Sequence, residues 1–319
     1  MRFCYAFRRF SDYPYLGNAF DMDPERITPR FLKRVKEMGF DGIELGIECL
    51  EKINGGENGI KEFAKKLEGH GTPLLAIRSG GLMIDPKFGE NNYNRIISSF
   101  KFAEFFNTKL INGAISIPEK SPYLDTGTEL ISSEWVAHAG LPFSQNSSRE
   151  TSLPEYELLA KKYSEVCDIA KDFDISISCE VHQNSPVDNS WSAKLIHKLV
   201  NRDNFGINPD LGNILWNYDI PEELCEDAII ELAPISNYWH CKNLIRVNHP
   251  ENQRSVFIRE TIIGGEIDYR FAVEAMHNAN YDGFMSIEGV FGGDQYYSCL
   301  LYTSPSPRDS TRARMPSSA

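Results

Sequence analysis

Short strand-like runs alternate with longer segments of helical periodicity along most of the chain, and this alternation restricts the fold more than any other feature. Strand-like segments fall at Met1–Phe7, Asp41–Gly46, Thr72–Arg78, Lys109–Gly113, Ile175–His182, Phe205–Asp210, Ile235–Lys242 and Gly283–Glu288. Helical periodicity occupies Pro29–Met38, Gly59–Glu68, Asn92–Phe106, Pro154–Phe173, Ser192–Val200, Pro221–Leu232 and Tyr269–Asn278. Strand–helix alternation predicts parallel βαβ units. Eight of them predict a closed α/β barrel, the (β/α)8 or TIM barrel. An open doubly wound sheet is the rival. It usually carries a Gly-rich phosphate loop after its first strand, and this chain has none.

Two stretches break the rhythm. Residues 114–152 are rich in Ser, Pro and Gly and exceed a routine connection, which suits a loop insertion after the fourth strand. His138 and Trp135 lie in it. Residues 299–319, from Cys299-Leu-Leu-Tyr-Thr-Ser-Pro-Ser-Pro-Arg-Asp309 onward, look like translated sequencing-adapter sequence. They are expected to form a disordered tail outside a single domain of residues 1–298. The tail begins where a helix should follow the eighth strand, so the barrel is expected to lack its final helix.

Charge narrows the partners. The chain carries 33 Lys and Arg against 45 Asp and Glu, a net charge of −12. Without the tail's three Arg and one Asp the body holds 30 against 44, or −14. A nucleic-acid binder normally presents basic side chains to phosphates, and no basic cluster interleaved with aromatics occurs here. No run of about 18 apolar residues suggests a membrane span, and the N-terminus lacks a signal-like apolar region. A cytoplasmic location is the expectation. The seven cysteines are odd in number and contain no C-x-x-C pair. Buried free thiols are therefore expected rather than a disulfide frame.

Catalytic groups of an eight-stranded barrel sit at the carboxyl ends of its strands. Here the last four strands end in Glu180, Asp210, His240 and Glu288, spaced 30, 30 and 48 residues apart. Alternate strand residues share a face. Glu180 thus sides with Ser176, Ser178 and His182, while Ile175, Ile177 and Cys179 point away. Asp210 sides with Gly206 and Asn208, His240 with Ser236, Tyr238 and Lys242, and Glu288 with Phe284 and Ser286. Three carboxylates and an imidazole converging at one mouth repel unless a cation joins them. Oxygen ligands with one imidazole suit Mn²⁺ best, with Mg²⁺, Co²⁺ or Zn²⁺ as alternatives.

At this point the chain resembles the xylose-isomerase-like barrel superfamily of metal-dependent sugar isomerases, epimerases and lyases, which includes inosose isomerase- and dehydratase-like members. The matching stretches are Gly39-Phe-Asp-Gly-Ile-Glu-Leu45, Glu180-Val-His182, Asn208-Pro-Asp-Leu-Gly-Asn213, His240-Cys-Lys242, Gly264-Gly-Glu-Ile-Asp268 and Tyr281-Asp-Gly-Phe-Met-Ser-Ile-Glu288. The resemblance implies one divalent metal held by Glu180, Asp210, His240 and Glu288, with Glu180 and Glu288 as the catalytic proton-transfer pair. It also implies a polar substrate contact at Arg246. His182, Lys242 and Glu44 are further substrate-binding candidates by strand position. One departure stands out: epimerases of the superfamily often place His three residues after the metal-binding Asp, where this chain has Asn213.

The chemistry fits that division of labour. Isomerising a ketose requires removal of a proton beside a carbonyl, and two carboxylates flanking the substrate can remove and return it. A metal stabilises the enediolate. The expected activity is sugar or polyol isomerisation or epimerisation on a small carbohydrate, in a chain compatible with homo-oligomers. The first alternative is a lyase or dehydratase acting on a keto-sugar, inosose or 3-oxo-glycoside, with His182 or His138 as the extra acid. Abasic-site DNA repair is disfavoured by the acidic body and the few histidines. A catalytically silent carbohydrate-binding barrel is disfavoured by the intact ligand set.

Overall fold

The computed structural model describes residues 1–6, 23–115, 147–183, 185–215, 222–249, 251 and 254–288. Eight strands form one parallel sheet: β1 (Arg2–Ala6), β2 (Gly42–Gly46), β3 (Leu74–Arg78), β4 (Leu110–Ala114), β5 (Ser176–Glu180), β6 (Phe205–Asn208), β7 (Trp239–Cys241) and β10 (Phe284–Ile287). Their order is β6-β5-β4-β3-β2-β1-β10-β7. The remaining seam, β7 against β6, narrows to a single parallel bridge, Ile207 to Ser236. Two further bonds complete it: the His240 backbone N–H donates to Asn208 Oδ1 at 2.7 Å, and the Asn237 backbone N–H donates to the Ile207 carbonyl at 3.2 Å. The result is a nearly closed barrel, as the eightfold alternation predicts.

Helices alternate with these strands, and their ends follow from local sequence. Helix α1 (Pro29–Glu37) starts on a Thr28 cap followed by Pro. Then come α2 (Ile47–Glu51), α3 (Gly56–Gly69) and α4 (Gly89–Phe106). Helix α5 (Leu153–Lys171) opens on a Ser152/Glu155 capping box. Helices α6 (Ser190–Val200), α7 (Leu211–Leu215), α8 (Cys225–Leu232) and α9 (Tyr269–Asn278) follow. Asn107 and Asn201 close α4 and α6 at positive φ, where their short side chains tolerate the left-handed conformation.

Three features differ from the sequence reading. The eighth helix starts at Cys225, after a Leu224 cap, and Pro221 lies outside the described residues. The short helices α2 and α7 sit directly behind the second and sixth strands. The long connection between the last two barrel strands contains an antiparallel hairpin, β8 (Asn243–His249) paired with β9 (Arg254–Glu260).

Strand parity separates two environments. Ile43, Leu45, Ile77, Ile111, Ile177, Cys179, Ile207, Trp239, Cys241 and Ile287 face the helices in one continuous core. Ala76, Leu110 and Tyr238, with Phe284 against them, form a small apolar cluster of their own. These residues lie on the inward parity, so they fill the lower barrel, and the polar inward residues lie above them. The six described cysteines are free and buried, as expected. Among the described residues no helix is long and apolar enough to cross a membrane. Most of the 114–152 loop, the tail and the segment of the expected missing helix lie outside the described residues, as do His138 and Trp135.

Candidate metal centre and active site

Strand ends bring Glu180, Asp210, His240 and Glu288 together. One ligand atom from each lies within 4.8 Å of the others, and all four side chains are buried. The spacing follows from register: Glu180 pairs with Asn208 across β5–β6, and Ser286 pairs with His240 across β10–β7. Asp210 and Glu288 each lie just past a strand end, two residues beyond those partners. His240 Nδ1 is 3.4 Å from Glu180 Oε2 and 3.5 Å from Glu288 Oε2. Both Nδ1 and Glu180 Oε2 are buried and lack a hydrogen bond of normal geometry among the described residues. Buried polar atoms are rarely left so. An imidazole nitrogen and three carboxylates converging on one point, two of their atoms unsatisfied, fit a divalent cation bound by oxygen and nitrogen.

Electrostatics within the cluster is strained by burial. Desolvation alone would raise the Glu180 carboxyl, but the adjacent His240 ring holds it below the usual carboxylate range. Asp210 is pushed up to about 7, by burial and by Glu288 and Glu180, although Lys242 opposes the shift. Burial opposes charge on His240, yet Glu44 and Glu180 raise it well above an ordinary histidine.

Neighbouring residues hold the cluster in place. Asn213 Nδ2 donates to Glu180 Oε1 at 3.1 Å and to the Val181 carbonyl at 2.9 Å. Its backbone N–H donates to Asp210 Oδ1 at 3.2 Å. The first turn of α7 thereby orients two of the four clustered residues. The Asn at this position, which departs from the epimerase pattern, is engaged inside the centre.

The four substrate-binding candidates have separate placements. His182 lies at the wall of a cavity of about 280 Å³ that also reaches Glu180. Its Nδ1 is 2.8 Å from the Gln183 carbonyl, which accepts only, so that nitrogen carries hydrogen. Lys242 is fully buried, with Nζ donating to Asp210 Oδ2 at 2.6 Å and Glu288 Oε2 at 3.1 Å. Arg246 lies on β8, its guanidinium donating to the Leu215 carbonyl at 2.8 Å and covering the Phe257 ring. Glu44 is buried behind His240, on the side of the ring away from the other carboxylates.

The cavity adds residues that the sequence reading passed over. Glu48, Arg78, Asp85 and Arg95 line it beside Glu180 and His182. Glu48 is bridged by two guanidiniums, Arg95 at 2.9 Å and Arg78 at 3.4 Å. Arg78 ends β3 on the inward face of Ala76, so the parity that singles out Glu180 would also have found it. Glu48 sits on α2, a helix that the pattern did not reveal.

Residues 32–297 match the family described as xylose isomerase-like TIM barrel, and the chain belongs to that family. Solved structures agree on the fold. A xylose isomerase-like TIM barrel protein from Mycobacterium smegmatis, in complex with magnesium, is 22% identical over 88% of this chain and 87% of its own, with a TM-score of 0.69. The probable 3-DHS dehydratase of petrobactin synthesis from Bacillus anthracis is 17% identical over 95% and 97%, with a TM-score of 0.65. A 3-keto-D-glucoside 4-epimerase from E. coli is 17% identical over 94% and 97%, with a TM-score of 0.64. No curated protein sequence matches the chain.

Proposed function

We propose that this protein is a divalent-metal-dependent isomerase or epimerase of a small sugar or polyol. The observation that carries the proposal is the buried quartet of Glu180, Asp210, His240 and Glu288, with its unsatisfied Nδ1 and Oε2 atoms, beside a cavity of monosaccharide scale. The family and the epimerases among its structural relatives support the same reading.

The four residues would hold one cation, Mn²⁺ by preference, with Mg²⁺, Co²⁺ or Zn²⁺ compatible with the donor set. Bound there, a divalent cation supplies Lewis-acid polarisation of the substrate's carbonyl and hydroxyl oxygens. Glu180 and Glu288 reach the same substrate atoms from different strands. One carboxylate removes the proton beside the carbonyl and the other returns it, which gives isomerisation or epimerisation. Asn213 fixes one oxygen of Glu180 and leaves Oε2 facing the cluster. Buried walls around the pair limit water at the reacting carbon. Arg78, Arg95 and Glu48 supply donors and acceptors for hydroxyl groups at the far end of the cavity. His182 is a hydroxyl-binding group on the near wall, with Lys242 positioned behind the ligands.

A second reading, a lyase on a keto-sugar, inosose or 3-oxo-glycoside, draws on the position of His182 beside Glu180 on the cavity wall. After the same first proton abstraction, His182 would protonate a departing β-substituent. Incubating Mn²⁺-loaded protein with keto-sugars, inososes and 3-oxo-glycosides in D₂O, followed by NMR, separates the two. The isomerase reading expects solvent deuterium at one carbon with every substituent retained. An unsaturated product would transfer the assignment to the lyase, and no exchange with any of these classes would refute both.

A further inference from the structure

We infer that Glu44 is a positioning residue of the metal centre: from inside the barrel its carboxylate holds Nε2–H of His240 and so turns Nδ1 toward the cation. The inference rests on the metal-centre reading above and concerns a residue that would contact neither metal nor substrate.

The geometry begins in β2. Glu44 faces the barrel interior between Ala6 and Ala76, its Cα partners on the flanking strands. Small neighbours on both sides leave its side chain room to cross the lumen toward β7. Its Oε2 there receives the Tyr238 hydroxyl at 2.6 Å and lies 2.8 Å from His240 Nε2. A buried carboxylate is costly unless hydrogen-bonded, and these two donors come from β7 and the residue just before it, two positions apart.

An ionised carboxylate only accepts, so the proton shared with Glu44 resides on Nε2. Asn112 Nδ2 also approaches Nε2, at 3.4 Å. It is the weaker neighbour, being longer and a donor itself. Its orientation is fixed independently, because Asn208 accepts the His240 backbone N–H through Oδ1 and donates through Nδ2 to Asn112 Oδ1 at 3.1 Å. The ring is thus held at its backbone and at Nε2. The nitrogen left for a cation is Nδ1, the one facing Glu180 and Glu288. A metal-binding histidine commonly donates its other N–H to a carboxylate, which sets both ring orientation and ligand basicity. The Tyr238 ring also packs edge-on at 5.2 Å from the His240 ring.

The test compares wild type with Glu44→Gln, after chelation and dialysis, by titration with Zn²⁺ alone. Two readouts are needed: the dissociation constant by chelator competition, and the ¹⁵N chemical shifts of His240 in the Zn²⁺-loaded protein. We expect binding weakened roughly 10–100-fold in Glu44→Gln, with the wild-type pattern of a metallated Nδ1 and protonated Nε2 blurred or lost. Glu44→Asp keeps the charge and should recover part of the affinity, which a purely structural role would not require. It also serves as the test should the Gln variant fail to fold. Affinity within threefold of wild type and unchanged His240 shifts would overturn the inference while leaving the metal reading intact. A wild-type protein that binds no Zn²⁺ would instead overturn the metal reading itself.

Discussion

Glu180→Gln, assayed at saturating Mn²⁺ on whichever substrate class the D₂O screen identifies, should lose at least three orders of magnitude in kcat and keep its fold. Glutamine is nearly isosteric and retains the hydrogen bond from Asn213 through its amide oxygen. It cannot take up a proton from carbon. General-base catalysis contributes about 10²- to 10⁴-fold, and under the proposed function Glu180 also belongs to the cation-binding quartet, so both functions would suffer together. The fold should survive because the substitution removes one of several like charges in a closed space. Circular dichroism and thermal melting check the second half of the expectation. A variant with near-wild-type turnover would remove Glu180 from the mechanism.

The second large effect concerns Lys242. Its ammonium, fully buried, pairs with the equally buried Asp210 and Glu288. The sequence makes space for it: a Cβ on Gly212 would overlap Lys242 Cγ. Lys242→Met keeps much of the volume and deletes the charge, leaving Asp210 and Glu288 beside Glu180 without the ammonium that pairs with both. Removing one partner of a buried ion pair typically costs about 3–5 kcal/mol, so chelator-treated Lys242→Met should melt roughly 10 °C below chelator-treated wild type. Added Mn²⁺ should narrow that gap, because a bound divalent ion supplies the missing positive charge and stabilises the folded state by mass action. Equal melting temperatures without metal would contradict this role for the lysine.

Much of the barrel is written in the chain's periodicity. Each of the eight strand-like runs forms a barrel strand, because burial on the helix side demands β-branched and aliphatic residues at alternate positions. The quartet was legible for the same reason: Glu180, Asp210, His240 and Glu288 are polar residues on an inward face at the carboxyl ends of strands, and the barrel gathers those ends together. What stayed hidden depends on contacts across the lumen or on short local structure. Glu44 reads from sequence like any strand-end carboxylate, and only the crossing from β2 to β7 places it behind His240. Arg246 follows His240 by six residues, but the hairpin carries it onto Phe257 and the Leu215 carbonyl. The hairpin's alternation was masked by charged residues and lacked a turn dipeptide of the Asn-Gly type. Helices α2 and α7, five residues each, are too short to display a period.

The central claim is that one divalent cation sits among Glu180, Asp210, His240 and Glu288. Anomalous diffraction at the manganese edge, from crystals grown after chelation and reloading with Mn²⁺, tests it most directly. The account predicts one strong anomalous peak per chain within coordinating distance of all four side chains, with Nδ1 as the histidine donor. Mn²⁺-loaded crystals with no peak at that position, or with the ion bound elsewhere, would contradict it.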